Sequence, residues 1–201
     1  MKLRNILLLS FCLFAYTLYA RNAKNNIVYQ DNNVRFTLIT PGVIRMEYTS
    51  NGSFVDNSSF IAVNRSYSEV KSKVNKRKEW LEINTSKMTL RYKLNSGRFT
   101  PENLEIISTD QSVPFRWHPG IQQKGNLKGT FRTLDGLDGD EQSQSWMADS
   151  KQHAKINLED GLLATDGWTF IDDSKGFLFD NDQEWKWVKE RSDKDGQDWY
   201  F

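Results

Sequence analysis

Apolar and polar residues alternate one for one along much of this chain, and that period restricts the fold more than any other feature of it. Val34, Phe36 and Leu38 share one face, with Arg35 and Thr37 between them. Ile44, Met46 and Tyr48 repeat the pattern around Arg45 and Glu47. Leu81 with Ile83, then Met88, Leu90, Tyr92 and Leu94, then Leu104 with Ile106, continue it. Successive strand side chains point to opposite faces, so a period of two predicts half-buried antiparallel strands with one face in a core and one in water. Pro41-Gly42, Asn51-Gly52, Asn95-Ser96-Gly97 and Pro119-Gly120 fall between the runs and read as turns. Asn32-Asn33 lies between runs 27–30 and 34–38, which predicts a hairpin. No segment of the mature chain offers an amphipathic helix. Many short strands separated by turn signals predict an all-β fold, an antiparallel β-sandwich.

The second half has a different texture. From Gly125 to Asp166 the alternation fades and Gly, Asp, Ser and Gln dominate, a mark of functional loops or of unstructured ones. Strand-like pieces return at 168–171, 177–179 and 185–188, and Asp172-Asp173-Ser174-Lys175-Gly176 reads as a hairpin turn between the first two. No internal repeat or linker divides residues 21–201, which are expected to form one domain.

The N-terminus predicts export. Lys2 and Arg4 precede an almost unbroken apolar run over residues 6–19. A spanning helix needs about 20 apolar residues, so this shorter run reads as a signal peptide over residues 1–20, with an uncleaved anchor as the alternative. Ala20 is the expected last residue removed and Ala23 the second choice. The mature protein is expected in the periplasm or outside the cell, free of the membrane. The single cysteine, Cys12, lies inside that run behind bulky Phe11, so lipidation is not expected and the mature chain has no thiol for a disulfide or a metal. Lys and Arg number 27 against 26 Asp and Glu, a balance that argues against a nucleic-acid partner. The run Lys71, Lys73, Lys76, Arg77 and Lys78 reads as a solvated loop between strands.

The chain has no phosphate-cradling glycine loop and no nucleophile elbow. His118 and His153, the only histidines, have no metal-ligand spacing to another His or Cys, so no metal or other cofactor is expected. Carboxylates crowd two stretches, Asp135, Asp138, Asp140 and Glu141 in one, Asp193, Asp195 and Asp198 in the other. Each reads as a solvated acidic turn, with calcium or a glycosidase acid pair as alternatives. A retaining acid pair must stand about 5–5.5 Å apart across a sugar, and Gly-Asp loops hold such geometry poorly. The aromatic residues are more suggestive. Six of the 7 Trp follow Phe115, among Asp, Asn and Arg, and sugars pack C–H faces on such rings while their hydroxyls bond polar neighbours. Trp168 and Trp187, in strand-like runs, are expected to be core anchors. Trp146, in the irregular loop, is the better candidate for an exposed sugar platform.

Four strings in the second half then stand out. Gly125-Asn126-Leu127-Lys128-Gly129-Thr130-Phe131-Arg132-Thr133-Leu134-Asp135-Gly136 is followed by Leu158-Glu159-Asp160-Gly161-Leu162-Leu163-Ala164-Thr165-Asp166-Gly167-Trp168, then Ile171-Asp172-Asp173-Ser174, then Asp198-Trp199-Tyr200-Phe201. In order and spacing they resemble the N-terminal domain of glycoside hydrolase family 31, the α-glucosidase and α-xylosidase family. The resemblance implies a galactose-mutarotase-like sandwich placed ahead of a (β/α)₈ barrel that carries both catalytic Asp residues. Nothing here matches the barrel's W-x-D-M-type segment, so no catalytic residue is assigned. What carries over is a loop that reaches the barrel mouth and shapes the site for the leaving-group sugar. Asp166-Gly167-Trp168 matches it, with Asp166 accepting from sugar hydroxyls or, alternatively, forming a turn with its own backbone. Arg132 and Asp135 are expected to be a structural pair. Lys128 departs from the family, which has a glycine or another small residue there, and residues 140–155 resemble an insertion.

Two readings follow. In the first, the chain is the N-terminal accessory domain of an exported retaining α-glycosidase, with an oligosaccharide substrate, the barrel as partner, and Asp166, Trp168 and Trp146 as substrate-binding residues. In the second it is a stand-alone carbohydrate-binding sandwich. A mutarotase-like enzyme ranks last, because neither histidine sits in a recognisable acid–base motif.

Overall fold

The structure, a computed structural model, describes residues 26–129, 142–143, 154–155, 160–180 and 187–201. They are all strand, turn and loop, with no helix among them. The candidate platform Trp146, the pair Arg132 and Asp135, the acidic residues 135–141, His153, Trp185 and the apolar N-terminal run lie outside the described residues.

Two compact units are distinct, one running to Ile121 and resuming over Ile171–Phe201, the other spanning Gln122–Phe170. The first holds two five-stranded antiparallel sheets. Strands β1 (Ile27–Gln30), β2 (Val34–Thr40) and β3 (Val43–Tyr48) form a meander turned by Asn32-Asn33 and Pro41-Gly42, as their alternation predicts. Strands β4 (Lys73–Arg77), β5 (Trp80–Asn84), β6 (Met88–Lys93), β7 (Leu104–Ser108) and β8 (Arg116–Trp117) form a second meander. The second unit contains β9 (Gln142–Ser143) paired with β10 (Ala154–Lys155). Four short strands complete the chain in the first unit: β11 (Ile171–Asp172), β12 (Leu178–Phe179), β13 (Val188–Lys189) and β14 (Gln197–Tyr200). Strand β14 adds to β3 and β11 adds to β14, giving the order β1-β2-β3-β14-β11.

The sheets face each other through their apolar sides, as in a β-sandwich. Phe36 of the first sheet meets Tyr92 of the second edge-on at 5.5 Å and Phe99 at 5.7 Å. Trp199 of β14 reaches Phe99 at 5.6 Å, and Phe201 packs between Trp117 at 5.0 Å and Phe115 at 5.5 Å. Leu38, Ile44, Met46, Leu81, Leu90 and Ile106 are fully buried between them. Each large apolar side chain so buried contributes roughly 1.5–3 kcal/mol. The C-terminal segment is therefore a core element, Trp199 packing on Phe99 and Phe201 on Phe115 and Trp117.

Three expectations need correction. The basic run is not only loop: Lys73, Lys76 and Arg77 sit on edge strand β4, whose exposed cations deter pairing with another chain. The turn at 172–176 does not join two strands of one hairpin, because β11 pairs with β14 and β12 pairs with β13. Nor is Trp187 a core anchor. It lies beside the two-residue β13 and is 65% exposed.

Candidate functional site

The polar side of the first sheet was expected in water, yet Arg35, Arg45, Glu47 and Asp198 are each no more than 5% exposed. Segment 53–59 covers them. The Phe54 ring lies 4.7 Å from the Arg35 guanidinium, and the Val55 carbonyl accepts from Arg35 and Arg45. Cross-strand register places Glu47 opposite Asp198, two like charges that repel. Guanidinium groups offset this. Arg35 grips Glu47 through Nε at 2.6 Å and Nη2 at 2.8 Å. Arg45 grips Asp198 through Nε and Nη2, both at 2.7 Å, and stands 3.0 Å from Glu47. Arg191 then bridges Asp198 and Asp173, each at 2.8 Å.

The network's electrostatics follow from burial and from these cations. Burial pushes the Asp198 carboxyl up, but the hydrogen bonds and charge of Arg45, then the charge of Arg191, hold it below the usual carboxylate range. Burial dominates at Glu47, where Arg35 and Arg45 compensate only in part and the carboxyl is raised. Asp173 is raised for the same reason, against the pull of Ser59 and Arg191. Every carboxylate here is committed to a guanidinium, so none is free to act as nucleophile or acid. The adjoining cavity, lined by Glu47, Ser53, Phe54, Arg191 and Asp198, has a volume of about 30 Å³, room for a water or two and not for a sugar ring. This is a structural ion network. Asp193, from the same acidic stretch, instead ties two loops together by accepting from Ser50 N at 2.7 Å, Ser50 Oγ at 2.8 Å and Thr49 Oγ1 at 3.0 Å. Among the described residues no group of three His, Cys, Asp or Glu is arranged to hold a metal ion.

The second unit holds the turn singled out by sequence. Residues 125–129 run beside 161–165: Leu127 N donates to Leu163 O at 2.9 Å and Thr165 N to Gly125 O at 2.8 Å. Asn126 reinforces the pairing by exchanging side-chain hydrogen bonds with the Gly161 backbone, both at 2.9 Å. Asp166 clasps the start of this ribbon, its Oδ2 accepting from Lys124 N at 2.7 Å and Gly125 N at 2.8 Å. A Cβ on Gly125 would collide with Thr165 Oγ1 and with the Asp166 carboxylate, so glycine is required there. Gly167 turns the chain with φ +77°, a region open to glycine. Trp168 follows, half-buried, its carbonyl accepting from the Gln123 side chain. Lys128 has φ 65°, a left-handed backbone conformation that glycine adopts more readily than a residue with a Cβ. The Asp166 carboxylate thus bonds the backbone of residues 124 and 125 and not its own. Its Oδ1 has no hydrogen bond among the described residues.

Apolar side chains are exposed in each unit. In the first, the Phe60 ring lies 4.9 Å from Phe179, which pairs with Val188, and Ser59 bridges to Leu178. Phe60, Ile61, Val63, Phe177, Trp187 and Val188 are between 45% and 65% exposed around this hairpin. In the second unit Leu127, Leu162 and Leu163 are exposed on the ribbon beside Asp166. The ion network and these patches escaped the sequence reading. The network had one legible signal, since a turn at Pro41-Gly42 sets Arg35 opposite Glu47.

No protein-family model matches the chain, and no curated protein matches it either.

Proposed function

We propose that this chain is the N-terminal accessory domain of an exported retaining α-glycosidase of α-glucosidase or α-xylosidase type. In this reading it is a galactose-mutarotase-like sandwich that braces a catalytic barrel and lends the turn at Asp166-Gly167-Trp168 to the pocket for the leaving-group sugar. One observation carries the reading. The four strings that resemble family 31 pair in space two by two: 125–129 lies along 161–165, and Asp172-Asp173-Ser174 lies along Asp198-Trp199-Tyr200. Paired strings of this kind are what a shared scaffold requires, because each string alone has no partner for its backbone groups. The exposed apolar patches add support, since surfaces of that kind commonly meet another domain.

Asp166 is suited to a sugar hydroxyl because the Gly125 clasp fixes its carboxylate while Oδ1 accepts no hydrogen bond among the described residues. A hydrogen bond to a charged group contributes about 1.5–3 kcal/mol. In the full-length enzyme, Asp166→Asn should lower kcat/KM for a disaccharide by about tenfold or more, and leave p-nitrophenyl α-glycoside turnover nearly unchanged because that substrate lacks the second sugar. An equal loss on both substrates would overturn the assignment of this turn to the leaving-group site. Turnover of either substrate by the 201-residue chain alone would overturn the accessory role itself.

A further inference from the structure

We infer that the outer face of the second sheet carries a separate saccharide-binding groove, built on Trp80, Arg91, Glu105 and Arg116, that accepts a neutral glycan chain. The alternation that buries Leu81, Leu90, Leu104 and Trp117 turns these four side chains away from the core. Register then aligns Glu82 with Arg91 and Arg91 with Glu105 across three strands. Arg91 Nη1 donates to Glu105 Oε1 at 2.8 Å and its Nε lies 3.3 Å from Glu82. Arg116 Nε donates to Glu105 Oε2 at 3.0 Å. The Arg91 guanidinium lies 5.1 Å from the Trp80 ring.

This ladder is the counterpart of the one on the first sheet, with one difference that decides its use. The first ladder is covered by segment 53–59 and leaves about 30 Å³. Nothing among the described residues covers the second. Its Arg116 side chain is 66% exposed, and the groove beside it encloses about 380 Å³, within the range of small-ligand sites. Glu102 and His118 line it as well.

The chemistry of the lining selects the ligand. Two carboxylates, Glu102 and Glu105, balance two guanidiniums, Arg91 and Arg116, so an ionic ligand gains little net attraction. A phosphate backbone would meet Glu102 and Glu105 as well as Arg116. A polyhydroxyl ligand uses both signs at once, donating to Glu105 while accepting from the Nη groups of Arg116. The indole of Trp80 supplies an apolar surface for C–H packing. All four groups stand on strands, which hold a site more rigidly than loops do. The choice of a saccharide rests on the α-glycosidase reading. The groove itself does not.

The test is calorimetric titration of the chain with maltoheptaose and, separately, with a xyloglucan heptasaccharide, to identify which glycan is taken. Saturable binding with Kd of about 1 mM is expected for one of them. Arg116→Ala, an exposed change that leaves the core intact, should weaken it about tenfold. Trp80→Ala should abolish it, with an unchanged melting temperature verifying the fold, and Asp166→Asn should leave it unaltered. No saturable binding of either glycan, or binding indifferent to Arg116→Ala, would overturn the groove. Loss of binding in Asp166→Asn with retention in both groove variants would also overturn it, while leaving the turn in the second unit as the sugar contact. A groove that fails in this titration leaves the disaccharide assay of Asp166→Asn standing, so the two readings fail separately.

Discussion

Replacing Asp198 by Ala tests the covered ion network at its centre. The wild-type carboxylate accepts two hydrogen bonds from Arg45 at 2.7 Å and lies 2.8 Å from Arg191, while only 4% of the residue is exposed. Its removal leaves three buried guanidiniums, Arg35, Arg45 and Arg191, facing two buried carboxylates, Glu47 and Asp173. Breaking a buried pair from one side costs about 3–5 kcal/mol. Each orphaned cation keeps one partner, Arg45 with Glu47 at 3.0 Å and Arg191 with Asp173 at 2.8 Å, which places the loss near 3 kcal/mol on the same scale. Domains of this kind hold only about 5–15 kcal/mol in total. With a urea m-value of about 2 kcal/mol/M, the midpoint should fall by about 1.5 M at unchanged slope. The double variant Arg45→Met with Asp198→Leu should recover much of the loss, since paired removal leaves no lone charge. A loss below about 1 kcal/mol would match a solvent-exposed pair and refute the argument that segment 53–59 seals the network. The pH dependence has a defined sign. The Asp198 carboxyl is depressed in the fold, so its stabilisation is present above the unfolded pKa of about 3.9 and is lost as pH falls through the folded value.

Tyr200 gives the opposite sign at the alkaline end. Burial, then the charge of Asp198, pushes its hydroxyl up to about 12, so its stabilisation is complete below pH of about 10 and lost as pH rises through the folded value. Absorbance titration of phenolate beside urea melts at several pH values should show roughly 2–3 kcal/mol of stability leaving in that window; a Tyr200 that ionises at its ordinary value would contradict it. Trp187→Ser should shift sedimentation of the chain toward monomer at high concentration and change stability by no more than about 0.5 kcal/mol, because the side chain is exposed. A wild-type chain already monomeric at every concentration would remove the argument from the apolar patch.

Much of the sandwich is legible in the sequence because period-two alternation needs only local information. Val34, Phe36 and Leu38, or Leu90 and Tyr92, announce their shared face without reference to distant residues. What alternation cannot announce is what lies over the other face. Arg35, Arg45 and Glu47 read as solvated because the residues that cover and complete them come from segment 53–59 and from Asp198, 153 positions beyond Arg45. Trp187 misled for a related reason. An aromatic residue in a strand-like run suggests a core, but β12 and β13 are two residues each and leave it in the open. At 172–176 a good local turn sequence suggested a hairpin, yet β11 is recruited by β14, and Asp173 is held from behind by Arg191. The Asp166 turn was legible as a motif, while its clasp on Gly125, 41 residues earlier, was not.

What this domain serves is tested most directly by reading the gene and its transcript beyond the codon for Phe201. An open frame that continues for several hundred residues and encodes a barrel with a W-x-D-M-type segment is the expected result. A stop codon directly after Phe201, present in genome and transcript alike, would contradict it.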